Sequence, residues 1–455
     1  VKGPDRRERL GRLAAAAGSS GVTMNSPAAP EESPLQPERS AGTDPYEVLR
    51  NRDYLLYLIG RLVSVFGQQM AVVAVGWELY DRTGTALALG LVGLVQMLPM
   101  LLFTLPAGHV ADNHDRRRIV LACTGAMSLA GIGLALVSVT RAPVVWIYGL
   151  LFLAGVARTF QWPASAAFLP QLVPRHLFSR AVTWNSSSFH LSCVVGPAVG
   201  GAILAWTGHP ALVYGLYSLA HLICFFLMAA IRPRPLRHSP ERLTLQSLLT
   251  GFRFLFGQRV LLGVITLDLF AVVLGGATAL LPVFARDILY AGPDGLGLLQ
   301  AAMPVGAVAC ALVLAHRPPI QHAGRAMLLA VAVFGLATIG FGISRWFWLS
   351  FVLLVICGAA DNVSVVVRHT LVQLLTPDDK RGRVSAVNSL FIGTSNELGG
   401  FRAGTVAHWC GPALGYSIAT GAVISVVLGG IGTLLSIWAV ALIWPEVRRY
   451  GRLDV

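Results

Sequence analysis

Three carboxylates and four arginines fall inside long apolar runs of this 455-residue chain. The carboxylates are Asp268, Asp361 and Glu397; the arginines are Arg61, Arg158, Arg368 and Arg402. A charge at bilayer depth costs about 2.5–3.5 kcal/mol on insertion scales, so it faces a cavity or a partner. One chemistry suits such a carboxylate. Burial favours its protonated form and an approaching guanidinium favours the ionised one, so a change of surroundings loads and unloads a proton. Asp268, Asp361 and Glu397 are therefore candidates for proton coupling. The competing reading of each is a fixed ion pair or a satisfied polar contact. Arg368 reads as a side chain that snorkels to the membrane surface. Glu78 and Asp81, near the end of the first run, read as wet residues. His190 and His221 titrate near neutral pH, but a lone histidine in a span reads first as a hydrogen-bonded core residue.

Uncharged polar residues in the same runs mark a second chemistry. Gln68, Gln69, Gln96, Gln161, Trp162, Asn185, Gln300, Asn362 and Asn396, with Arg61 and Arg402, would line a cavity among apolar neighbours. Such a mixed lining tolerates varied amphipathic molecules. The six cysteines lie in apolar runs without CxxC or Cys/His metal spacing, so they read as small core residues. No metal site, cofactor or catalytic constellation is expected. No P-loop occurs, so direct ATP drive is not expected; with the carboxylates above, the energy source expected is a proton gradient.

The elements that must position these residues are membrane-spanning helices. The chain is 55% hydrophobic and 13% charged, with a mean hydropathy of +0.65. Apolar runs of about 20 residues span a bilayer as helices. Twelve are predicted, at 54–80, 86–108, 119–139, 144–168, 181–206, 210–231, 260–285, 295–315, 325–344, 347–370, 384–408 and 414–443. The fold expected is an all-α polytopic membrane protein, with a six-helix bundle at 47–231 and a second at 260–445. A linker at 232–259 separates them, and its amphipathic part would lie on the membrane surface. Residues 1–46 form an Ala-, Gly-, Ser-, Pro- and Arg-rich tail expected to be disordered, and 446–455 a short C-terminal tail. Met24, inside the first tail, is an alternative start.

Arginine placement predicts the orientation. With the N-terminus in the cytoplasm, 27 of the 35 lysines and arginines fall in cytoplasmic segments, four in outside loops and four within spans. This bias places both termini in the cytoplasm. It also accounts for the net charge of +13 without nucleic acid, because the positive charge is dispersed over all cytoplasmic segments. The two halves repeat each other. After the fourth span, Gln171, Pro174, Arg180 and Asn185-Ser186 answer to Gln373, Pro377, Arg383 and Asn388-Ser389 after the tenth. A duplicated six-helix unit binds substrate between its halves and rocks one against the other.

The loop after the second span, "GHVADNHDRRR", places Gly108, Asp112, Arg116 and Arg117 at the spacing G-x-x-x-D-x-x-x-R-[KR]. With twelve spans in two halves, this resembles the major facilitator superfamily. Arg158 and Gln161 resemble the family's R-x-x-Q motif in span four, with Trp162 where glycine is usual. Gly196, Pro197, Gly200 and Gly201 resemble the exporter-associated G-P-x-x-G-G, with Ser192 where the pattern has a further glycine. "LLTGFRFLFGQRVL", "GLLQAAMPVGA" and the aspartate loop are most similar to the enterobactin exporter-like and drug:proton antiporter-3 group. The resemblance implies a monomeric proton-driven exporter of small amphipathic compounds, of drug or siderophore class, in a bacterial cytoplasmic (inner) membrane. It also implies a gate, in which Asp112 meets the start of span eleven around Arg383 to Val387, helped by Arg158. A differently coupled carrier, such as a lysophospholipid flippase or a facilitative importer, is the alternative. Gly-rich stretches such as "GLVGLV" and "VLGGIG" read as close helix-packing surfaces.

Overall fold

The computed structural model describes residues 44, 46–232, 253–318 and 321–451. The N-terminal tail and most of the linker, including the start of its amphipathic stretch, lie outside these residues. Among the described residues there are twelve long helices and no strands. They are α1 (Arg52–Thr83), α2 (Ala86–Asn113), α3 (Arg116–Thr140), α4 (Val145–Leu172), α5 (Phe178–Thr207) and α6 (Pro210–Ala229) in the N-terminal half. The C-terminal half has α7 (Arg259–Gly275), α8 (Gly292–Ala315), α9 (Ala323–Ile343), α10 (Phe347–Leu375), α11 (Asp378–Trp409) and α12 (Ile418–Ile443). A short helix, Pro445–Arg449, follows. After Gly275, α7 is carried on by short helical turns to Ile288, the last of them the wider π turn Phe284–Ile288.

Local chemistry sets the ends. The Asn51 side chain caps α1 by accepting from the amides of Asp53 and Tyr54, at 3.1 and 3.2 Å. Gly84, at φ 57°, turns the chain back where a side chain would be strained, and Thr85 then caps α2. Asp115 caps α3 by accepting from the Arg117 amide at 2.9 Å.

Ten of the twelve helices are apolar enough to cross a membrane on composition alone. The other two are α4, which carries Arg158, and α11, which carries Glu397 and Arg402. These two helices carry the charges that meet between the halves.

The packing repeats between halves. In the first, α1 packs on α5 and α6, α3 on α4 and α6, and α2 on α4. In the second, α7 packs on α11 and α12, α9 on α10 and α12, and α8 on α10. The halves meet through α2 on α11 and α5 on α8, a pair of contacts that exchange under the same correspondence. This is a pseudo-twofold arrangement of two six-helix bundles.

The two ends of the bundle differ. At the end where α1 turns into α2, one apolar cluster runs through both halves, joining Val73 and Leu79 to Leu281, Val283, Phe284 and Ala403. At the Asp112 end the apolar core divides. One cluster, with Tyr54, Val120 and Phe168, belongs to the first half, and another, with Leu261, Val367 and Val384, to the second. Leu105 of α2 packs against the second of these.

Candidate functional site

A cavity of about 300 Å³ lies between the halves. The first half contributes Gln68 from α1, Gln96 from α2, Arg158 from α4 and Tyr217 from α6. The second contributes Pro282, Gln300 from α8, and Asn396 and Glu397 from α11. Most other lining residues are Ala, Val, Leu and Gly, so a few polar groups stand in an apolar wall.

The charge in this wall is a pair. Arg158 Nη2 donates to Glu397 Oε1 at 3.5 Å, across the divide between the halves. Both side chains keep some exposure, 37% and 25%. Small residues bring the two helices within reach. A Cβ built on Gly93 would lie 2.4 Å from the Glu397 carbonyl oxygen, and one on Gly155 3.1 Å from the Pro99 ring. The stretch of α2 between α4 and α11 is therefore thin, and α11 is drawn in at the turn that carries Glu397.

A second space, of about 40 Å³, lies inside the first half. Arg61, Gln161, Tyr57 and His221 line it, and Gln68 lines both spaces. His221 is 1% exposed and its Nδ1 donates to the Tyr217 carbonyl at 3.0 Å.

The other predicted site residues lie elsewhere. Asp268 pairs with Arg368 within the second half. Arg368 is 2% exposed, so it does not snorkel. Asp361 sits on α10 away from the cavity lining, and among the described residues it has no ion-pair partner. Asn185 and Asn362 are also outside the lining, each with a buried polar atom that has no hydrogen-bond partner. Arg402 turns away from the cavity toward Gly429 of α12. Trp162 is 64% exposed and lines neither space. His190 is exposed.

The aspartate loop separates into parts. Gly108 is buried in α2. Arg117 donates to the carbonyls of Met228 and Ala229, at 3.1 and 2.5 Å, and so caps the end of α6. Arg116 is 8% exposed, and Arg118 lies 3.6 Å from Asp115. Asp112 is half-buried, and among the described residues its carboxylate has no hydrogen-bond or ion-pair partner. The ion pair that Arg158 makes is with Glu397, not Asp112. The Arg383 side chain lies outside what is described.

The G-P-x-x-G-G glycines are contact points. Gly196 and Gly200 lie against Gln69 and Met70 of α1, and Gly201 against Pro293 and Gly297 of α8 in the other half. Of the stretches read as packing surfaces, Gly90 and Gly93 meet Gly404 and Phe401 of α11.

Sequence reading missed a clasp at the α1–α2 end. Asp81 of α1 pairs with Arg286 of the second half at 2.9 Å, and the Tyr80 hydroxyl donates to Asp287. Arg286 also lies over the Tyr80 ring, 5.7 Å from its centroid. The π turn presents Arg286 and Asp287 together. Glu78, read as wet, is 5% exposed and pairs with Arg82 at 3.1 Å. The adjacent opposite charges Asp81-Arg82 and Arg286-Asp287 were visible, but nothing local says that they meet.

Two six-helix bundles related by a pseudo-twofold, with a polar-lined cavity between them, define a membrane carrier of the major facilitator type. The sequence matches the transmembrane secretion effector family over residues 43–442, and the chain belongs to that family. It is a multi-pass membrane transporter, not an enzyme. It is 26% identical over 393 residues to the enterobactin exporter EntS of Shigella boydii serotype 18, covering 86% of this chain and 92% of that one. The protein of the same name from Escherichia coli O1:K1 matches to the same extent. Among solved structures, the fold is similar to a bacterial homologue of the human lysosomal transporter Spinster in an inward-facing, occupied conformation. The TM-score is 0.69 at 14% identity, over 90% of this chain and 98% of that one. The nucleoside transporter NupG is similar at TM-score 0.69 and 12% identity, over 88% and 100%.

Proposed function

We propose that the protein is a proton-coupled exporter of small amphipathic compounds that works by alternating access between its halves. The observation that carries the reading is the Arg158–Glu397 pair, made between the halves and in the wall of the cavity. Rocking one half against the other must change the distance between these two groups. A carboxylate whose guanidinium partner withdraws takes up a proton, and one whose partner returns releases it. A compound held in the same cavity would then be moved by the same motion. The exporter relatives supply the direction.

The positive-inside bias puts the Asp112 end and both termini in the cytoplasm, and the membrane is read as the bacterial cytoplasmic one. The end sealed by the shared apolar cluster and the clasp then faces outward. The conformation is accordingly read as sealed on the outside, with the cytoplasmic halves of the core separate. No cofactor enters the cycle.

The test is transport of a panel of amphipathic compounds by proteoliposomes under an imposed pH gradient. The expected result is gradient-dependent movement of at least one compound, lost in Glu397→Gln. Movement that ignores the gradient in the unaltered protein, or gradient dependence that survives in Glu397→Gln, overturns proton coupling at this site.

A further inference from the structure

The small pocket inside the first half holds an uncompensated charge. Arg61 lines it, and among the described residues no Asp or Glu oxygen lies within 4.0 Å of its guanidinium, nor does any carboxylate line the pocket. Its Nε is buried without a hydrogen-bond partner. Tyr57, Ser165 and Gln161 around it are neutral; the Tyr57 hydroxyl lies within reach of the Arg61 side chain and donates to the Ser165 carbonyl at 3.4 Å, so it supplies no counter-charge. In the adjoining cavity Arg158 is balanced by Glu397, so the two spaces that meet at Gln68 together carry one guanidinium in excess. Holding an unpaired cation at membrane depth is costly unless a ligand supplies the counter-charge. The pocket, about 40 Å³, exceeds what a single water needs and so has room for a small polar group.

We propose that the transported compounds are amphiphiles bearing an anionic group of carboxylate type. The anion seats against Arg61 in the small pocket, with the amides of Gln68 and Gln161 beside it. The apolar body occupies the larger cavity between the halves. This rests on the exporter reading and narrows its substrate class. The division of labour is physical: a permanent cation selects the head group, while a loosely packed apolar wall leaves the body unspecified.

The experiment is equilibrium binding to the purified full chain in lipid nanodiscs, with no gradient. The probes are dansylglycine and its neutral counterpart dansylglycinamide, which share a body and differ in the head group. The acid should bind roughly tenfold to hundredfold more tightly, the range of a hydrogen bond to a charged group. Arg61→Gln should abolish that preference while leaving the amide's affinity in place, and Arg61→Lys should keep part of it. Should Arg61→Gln lose both probes, Arg61→Lys decides: a retained preference supports the assignment and a lost one overturns it. Equal affinities in the unaltered protein, weaker binding of the acid, or a preference that survives in Arg61→Gln also overturn it. Proton coupling is read only in the gradient assay, so failure of one reading is distinct from failure of the other.

Discussion

Among the described residues, two guanidinium–carboxylate pairs that join different long helices at membrane depth are built differently. Arg368 and Asp268 join α10 to α7 within one half, with side chains only 2% and 10% exposed. Arg158 and Glu397 join α4 to α11 across the halves, 3.5 Å apart, in the wall of a cavity. The first pair has no motion available to separate it, because the helices that carry it belong to one bundle. The second is made between the two halves, the bodies that alternate in the proposed cycle. Charge inside a membrane is therefore not one signal: the same residue types give a rivet in one place and, in the proposed cycle, a moving contact in the other.

Breaking the rivet should have the largest effect. Removing one partner of a buried pair leaves the other as an uncompensated charge, which costs about 3–5 kcal/mol. Arg368→Ala should therefore sharply lower the thermal unfolding midpoint of the detergent-solubilised protein. A double change to Asp268→Leu with Arg368→Met should recover most of the loss, since replacing both charges by apolar groups of similar volume is often neutral. A single variant as stable as the unaltered chain would remove the contrast between the pairs.

The moving contact should respond in the opposite sense. Glu397→Gln is expected to change stability by less than about 1 kcal/mol, because the pair is long and partly exposed. Gradient-driven transport should fall by at least roughly tenfold, as expected for loss of a general proton carrier. Unfolding curves and proteoliposome flux from one preparation separate the two effects.

How much of this was legible beforehand follows the same division. The helices could be read because the length of an apolar run is a property of consecutive residues. The lining residues Gln68, Gln96, Gln300 and Asn396 could be read too, since polar groups in such runs must face something other than lipid. Partnership could not. Asp268 and Arg368 are a hundred positions apart, and which face of α10 turns inward depends on α8 and α9, against which it packs. The same holds for the clasp of Asp81 with Arg286, where two residues that look like loop charges meet only because the halves do. Arg402 and Asn362 were plausible lining residues by type and fell on the wrong faces of their helices.

The seam between the halves offers a smaller, graded test. A Cβ on Gly201 would lie 2.5 Å from the Pro293 carbonyl oxygen, whereas one on Gly215 meets nothing within 4 Å. Gly201→Ala should cost about 1–3 kcal/mol through overpacking, as backbone is what must shift. Because Gly201 faces the other half, the cost falls on the sealed conformation and should slow transport. Gly215→Ala should leave both unfolding and flux unchanged. Equal behaviour of the two variants would mean that the seam is not tight.

The smallest effect is expected at Asp112, and it bears on what the charged loop is for. Asp115 is accounted for as the cap of α3, and Arg117 as the cap of α6. Neither role needs the second half. Asp112 has no such duty, and among the described residues its carboxylate is without a partner while the cores at its end remain separate. A residue that latches the start of α11 only when that end closes should be free in this conformation. A carboxylate at a helix N-terminus contributes about 0.3–1 kcal/mol, so Asp112→Asn should slow transport by roughly two- to fivefold. Unfolding and the sidedness of cysteine labels in the loops should not change, because the arginines that anchor the loop are intact. Undiminished flux would reduce the loop to an anchor and leave the Arg158–Glu397 contact, among the described residues, as the polar link in the cavity wall that the proposed motion has to break.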